Sequence, residues 1–218
     1  MADLTFWILN PRKKKKLLIC EVLSDLGNLK FVNVCRISLS SYPEALPAAV
    51  KACENSINQP KNKLHRYIKI AFYWLQYNGL RRNFEKNNEQ VVCVWNGLNG
   101  TRFVAGQAAR DASCRTLFFE LSPFKNTLTI DPAGVNYANS LPKKILPYLK
   151  WYNNHVECGK LISKTLNSIN QRNPSKSYNK VKLGNFTDKK YIFVPLQVPG
   201  DSQLRIYGGK FKELKSFI

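Results

Sequence analysis

The chain has 218 residues, 44% of them hydrophobic, and 34 Lys and Arg against 14 Asp and Glu, a net charge of +20. That hydrophobic content excludes a disordered chain and allows one substantial core, or one domain and part of another. The charge excess points to an anionic partner such as nucleic acid, acidic lipid or a phosphorylated substrate, without choosing among them.

Near the start, a basic run from Arg12 to Lys16 precedes Leu17, Leu18, Ile19 and Cys20, and Glu21 breaks the apolar run too early for a secretory leader. Residues 17–23 and 29–37 read as strands by their Leu, Ile, Val and Phe content, with Gly27 and Asn28 placed to turn a hairpin between them. Over 62–85, Leu64, Tyr67, Ile68, Ala71, Trp74 and Leu75 recur three and four apart, which predicts a helix that Gly79 bends or ends. Arg66, Lys69, Arg81 and Arg82 accompany its aromatics, a pattern that serves either a core helix or one lying on an anionic membrane surface. No segment is long enough to span a bilayer.

From residue 91 the pattern sharpens. VVCVW (91–95) is a short apolar strand, NGLNG (96–100) a tight loop, 101–112 an Ala-rich helix and RTLFFE (115–120) a second strand. This βαβ unit makes its two strands parallel neighbours and puts Asn96 and Glu120 at one sheet edge, where open α/β sheets take their ligands. TLTI (127–130) is a further β segment that delivers Asp131. One or two helices follow over 143–170, bent near Gly159, then a polar linker at 171–180 and a strand at 190–198.

Glu120 and Asp131 each end an apolar β segment, so both can project into one cleft. Two such carboxylates allow acid/base and nucleophile roles in glycosyl transfer with retention; equally, Glu120 can cap a helix and Asp131 can make an Asx-turn with Gly134. The glycines of 95–100 allow a phosphate cradle or simply a tight turn. Six cysteines without a C-x-x-C pair read as free thiols of a reducing cytoplasm, and with only His65 and His155 available no metal site is predicted.

The stretches VWNGLNG (94–100), FFELSPFKNTLTIDPAGVNYANSLP (118–142) and YIFVPLQVPGDSQLR (191–205) resemble, in order, the capsular polysaccharide biosynthesis family that includes retaining β-Kdo glycosyltransferases. The shared pattern is an acidic residue after a strand, an Asp-x-x-Gly element, and a V-P-x-Q-V strand leading to an acidic-Ser turn. The resemblance implies an α/β fold: a Rossmann-like N-terminal domain of a two-domain, GT-B-like glycosyltransferase over 1–175. A linker over 176–189 and the truncated opening of a nucleotide-sugar-binding domain over 190–218 follow. It also implies Asp131 as the nucleophile that forms a glycosyl-enzyme adduct and Glu120 as the acid/base. Asn96, Gly97 and Asn136 would line the cleft, and Gln197, Asp201 and Ser202 would open the donor domain.

By the same resemblance the donor is CMP-Kdo, bound as substrate with no cofactor expected, and the acceptor is a Kdo-primed lysophosphatidylglycerol or a growing glycan. The protein would work in the cytoplasm, peripherally on the inner membrane, alongside other capsule assembly proteins. Two alternatives stand beside this expectation: a non-catalytic partner in capsule assembly or export, and a basic nucleic-acid-binding protein, for which no binding motif is present.

Overall fold

In a computed structural model the described residues are 4–9, 13–122, 127–155, 157–170 and 201–210. Five short strands form one sheet: β1 (Thr5–Leu9), β2 (Asn28–Val32), β3 (Val91–Trp95), β4 (Arg115–Leu121) and β5 (Leu128–Asp131). Their order is β2-β1-β3-β4-β5, with β1 to β4 parallel and β5 antiparallel to β4. Because β2 and β3 flank β1, the chain reverses its winding at β1, and the carboxyl edge beside β1 and β3 is where such sheets leave a crevice.

The helices are α1 (Lys13–Leu23), α2 (Ala45–Glu54), α3 (Lys63–Glu85), α4 (Gly100–Asp111), α5 (Ile145–Asn154), α6 (Cys158–Asn170) and α7 (Ser202–Tyr207). Strand side chains alternate between two cores, as the period of two requires. On one side Phe6, Ile8, Cys93 and Phe119 pack on Ile19 and Leu23 of α1. On the other, Trp7, Val92, Val94 and Phe118 meet α2, α3 and α4. Alanines 45, 48, 49 and 52 of α2 and 105, 108 and 109 of α4, all buried, allow these helices to lie close together and to the sheet.

The β3-α4-β4 unit is parallel, as expected. The N-terminal expectation needs correction. Residues 17–23 are helical, not a strand, because the first strand lies upstream in the buried run TFWIL, and Ile19 and Leu23, four apart, form the inward face of a helix that leaves Leu17 exposed. The expected hairpin is therefore a parallel β1-α1-β2 crossover, and β2 ends at Val32 rather than 37. Gly79 does not end α3. A Cβ there would lie 2.6 Å from the Arg36 carbonyl oxygen, so its role is to admit the 33–42 segment against the helix.

The linker over 176–189 and the strand over 190–198 lie outside the described residues. Residues 201–207 pack on the sheet domain. The Arg205 guanidinium donates to the carbonyls of Ser56 and Asn55, both at 2.6 Å, and to Asn99 Oδ1 at 2.9 Å. A cation at those carbonyls also suits the negative end of α2. Among the described residues no helix is long and apolar enough to cross a membrane.

Candidate functional site

At the carboxyl end of β3 the chain must swing abruptly into α4, and Asn96 (φ 65°) and Gly97 (φ 77°) do this in the left-handed region. Asn96 is held on three sides. Its N–H donates to Phe119 O at 2.8 Å, extending the ladder to β4, and its Oδ1 accepts from Leu98 N–H at 3.1 Å. Its Nδ2 donates to Glu120 Oε2 at 2.6 Å, while Glu120 Oε1 accepts from Leu121 N–H at 3.0 Å. The expected meeting of Asn96 and Glu120 at one edge is thus a direct hydrogen bond.

Gly97 and Gly106 form a slot for one ring. A Cβ would lie 2.5 Å from the Phe118 ring at Gly97 and 2.9 Å from it at Gly106. The Arg110 guanidinium lies 4.6 Å from that ring's centroid and donates to Ala133 O, so α4 is joined to the loop after β5. Tyr73 fills the space beside Gly100, and the Asn99 side chain is engaged by Arg205, so the 96–100 loop acts here as a tight βα turn.

Asp131 lies on the same sheet face as Glu120 but away from the edge. In the antiparallel register it stands opposite Phe118, whereas Glu120 stands opposite Thr129. The two carboxylates therefore belong to diagonal neighbours, residues roughly 7–8 Å apart in such a pair with their Cβ atoms somewhat closer. Their surroundings differ. Asp131 is buried, and five donors saturate it: Ala133 and Gly134 N–H on Oδ1, and Ser140 N–H, Ser140 Oγ and Tyr148 OH on Oδ2. Burial pushes its pKa up, but the Ser140 side chain and the backbone N–H groups of Ser140, Ala133 and Gly134 outweigh that and hold it below the usual carboxylate value. Asp131 thus organises the loop 132–140 and tethers α5 through Tyr148, the Asx-turn arrangement among the two that its sequence allows.

A cavity of about 200 Å³ opens between these elements. Its walls include Lys51 of α2, Asn96 and Gly97, the face of α4 bearing Gln107 and Arg110, and Tyr207 of α7. Drug-sized sites occupy about 300–1,000 Å³, so this one suits a single sugar or a phosphate-sized group rather than a whole nucleotide sugar. Two cations, amides and aromatic rings are the chemistry that a polar, anionic ligand of that size needs.

Of the residues singled out in the sequence, Asn96 and Gly97 line the cavity; Glu120 is hydrogen-bonded to Asn96, and neither Glu120 nor Asp131 is among the lining residues. Asn136 (φ 53°) opens a 3-10 turn and is exposed; its neighbours Gly134 and Ala138 line the cavity instead. Asp201 caps α7, accepting from Gln203 N–H at 2.6 Å, and Ser202 is the first residue of that helix. Gln197 lies outside the described residues. The sequence reading missed Lys51, Gln107, Arg110 and Tyr207. For α4 a signal existed: Phe103, Gly106, Gln107 and Arg110 recur three and four apart, one face of the helix that follows the βα turn.

Among known proteins, Protein FixF of Sinorhizobium fredii (strain NBRC 101917 / NGR234) is 28% identical to the chain over 130 residues, which is 60% of this chain and 29% of FixF. The chain thus matches less than a third of that relative's length. No family model matches the sequence, and no solved structure is a significant match.

Proposed function

We propose that this chain is the Rossmann-like, acceptor-side part of a GT-B-type bacterial surface-polysaccharide glycosyltransferase. It would pass a Kdo-like sugar with retention from CMP-Kdo to a lipid-linked or glycan acceptor, at the cytoplasmic face of the inner membrane. One observation supports the reading. Two of the three stretches that carry the family resemblance, 94–100 and 118–142, wall a single cavity, and Arg205 of the third, more distant stretch clamps α7 beside it.

In this reading Lys51 and Arg110 attract the anionic group of the sugar, Gln107 and Asn96 orient its hydroxyls, and Glu120, fixed by Asn96, exchanges the acceptor proton. Asp131 would attack the anomeric carbon as CMP departs, which requires the loop 132–140 to release at least Oδ2 from Ser140 and Tyr148. That requirement favours a second reading, a chain that keeps the fold and the cavity as a non-catalytic partner in capsule assembly or export.

Release of CMP from CMP-Kdo in the presence of a Kdo-primed lipid acceptor separates the two. The first reading predicts turnover that Glu120→Gln lowers by about 10²–10⁴-fold, the range for a lost acid/base, with an unchanged circular dichroism spectrum. A folded wild-type chain with no turnover selects the partner role.

A further inference from the structure

Helix α3 is far longer than the sheet it crosses. Its 23 residues extend about 34 Å at 1.5 Å each, against about 17 Å for a strand of five. Its position along the sheet is set by two contacts. At the amino edge, Phe84 O accepts from Cys114 Sγ just before β4 begins. At the carboxyl edge, Tyr73 lies beside Gly100, the first residue of α4, with its hydroxyl 2.9 Å from Ser56 Oγ. Everything before Tyr73 therefore overhangs the carboxyl edge, the edge that holds the cavity.

Among the described residues this overhang is apolar, basic and largely uncovered, with Ile70 packed against the core. No residue from Ile57 to Phe72 is buried. Leu64, Ile68 and Phe72, spaced i, i+4, i+8 on one face, are 69%, 59% and 44% exposed, with Tyr67 and Ile57 exposed beside them. Lys61, Lys63, Arg66 and Lys69 belong to the same segment, Arg66 paired with Glu54 and Lys69 donating to Asn58 O, and no Asp or Glu occurs anywhere from Asn55 to Phe84. Glu54 of α2 lies 3.6 Å from Arg66 in an exposed pair. An exposed aliphatic stripe in a basic segment without an acidic residue is complementary to a surface that is anionic outside and hydrocarbon beneath.

We propose that residues 57–72 are a docking surface for an anionic phospholipid bilayer, which would hold the carboxyl-edge cavity close to the membrane plane. Nucleic acid would find the lysines but gain nothing from Leu64 and Ile68, so the aliphatic stripe decides for lipid. The inference stands on exposure, charge and the length of α3, and it does not rest on the transfer reading.

Flotation of the full chain with vesicles tests it. Wild type is expected to float with phosphatidylcholine–phosphatidylglycerol vesicles at low salt and to remain behind with phosphatidylcholine alone. The double variant Leu64→Glu/Ile68→Glu should lower the bound fraction about tenfold, since it removes the inserting side chains and adds two like charges to the contact. Leu39→Glu, at a residue 84% exposed in the 33–42 segment, should float as wild type does and controls for a general charge effect. Equal flotation of Leu64→Glu/Ile68→Glu and wild type, or no flotation of wild type, overturns the proposal. So does a dimer in light scattering, or a complex with single-stranded oligonucleotide, that the same double variant dissolves while vesicles are ignored.

Discussion

The two halves of α3 have similar helical spacing and opposite fates. From Tyr73 to Phe84, Tyr77, Leu80 and Phe84 lie in the core, and even the polar side chains are committed: Gln76 Nε2 donates to Val34 O, Asn78 Oδ1 accepts from Tyr42 N–H, and Tyr77 OH donates to Asp111 Oδ2. From Lys63 to Phe72 the apolar residues are just as large and none is buried. The difference is where the sheet stops. An amphipathic pattern tells which residues share a helix face, and only the length of the neighbouring strands decides whether that face meets a core or stands free.

Identical substitutions in the two halves should separate them. Leu80→Ala, at a fully buried site, should cost about 2–5 kcal/mol in a urea melt, through lost transfer energy and the cavity left behind. Tyr77→Phe should cost about 1.5–3 kcal/mol, because it removes a 2.5 Å hydrogen bond to a carboxylate and leaves Asp111 with Gln107 as its remaining side-chain donor of the two. Leu64→Ala should stay within about 0.5 kcal/mol of wild type, as exposed positions do. A loss at Leu64 as large as at Leu80 would break the comparison, because it would mean that the overhang is packed in solution.

The carboxylates allow a similar contrast at low pH. Asp131 has its pKa depressed in the folded state, so its contribution is fully present above the unfolded value of about 3.9 and is lost as pH falls through the folded one. Between pH 5 and pH 7, Asp131 should therefore add nothing to the pH dependence of stability. Below pH 4 wild type should lose stability more steeply than Asp131→Asn, as read by melting temperature against pH.

The β3-α4-β4 unit was legible because each of its parts has its own local signal: a run of Val and Trp, an Asn-Gly turn, an Ala-rich helix and a second apolar run. The first strand was not. TFWIL is a buried parallel strand without alternation, and the longer apolar run after the lysines drew the strand assignment to what is the inward face of α1. The edge position of Glu120 and its partner Asn96 follow from the parallel crossover, whereas the environment of Asp131 does not. That depends on the antiparallel register of β5 and on Ser140 and Tyr148, nine and seventeen residues downstream. The clamp from Arg205 to Asn55 spans 150 positions, and no local pattern announces it.

Intact mass spectrometry after incubation with CMP-Kdo generated in place tests most directly whether the carboxyl-edge cavity is a site of sugar transfer. The account predicts a gain of one Kdo residue on wild type and on Glu120→Gln, and none on a folded Asp131→Asn variant. Wild type that stays unmodified while folded, or an adduct that persists on Asp131→Asn, would contradict it.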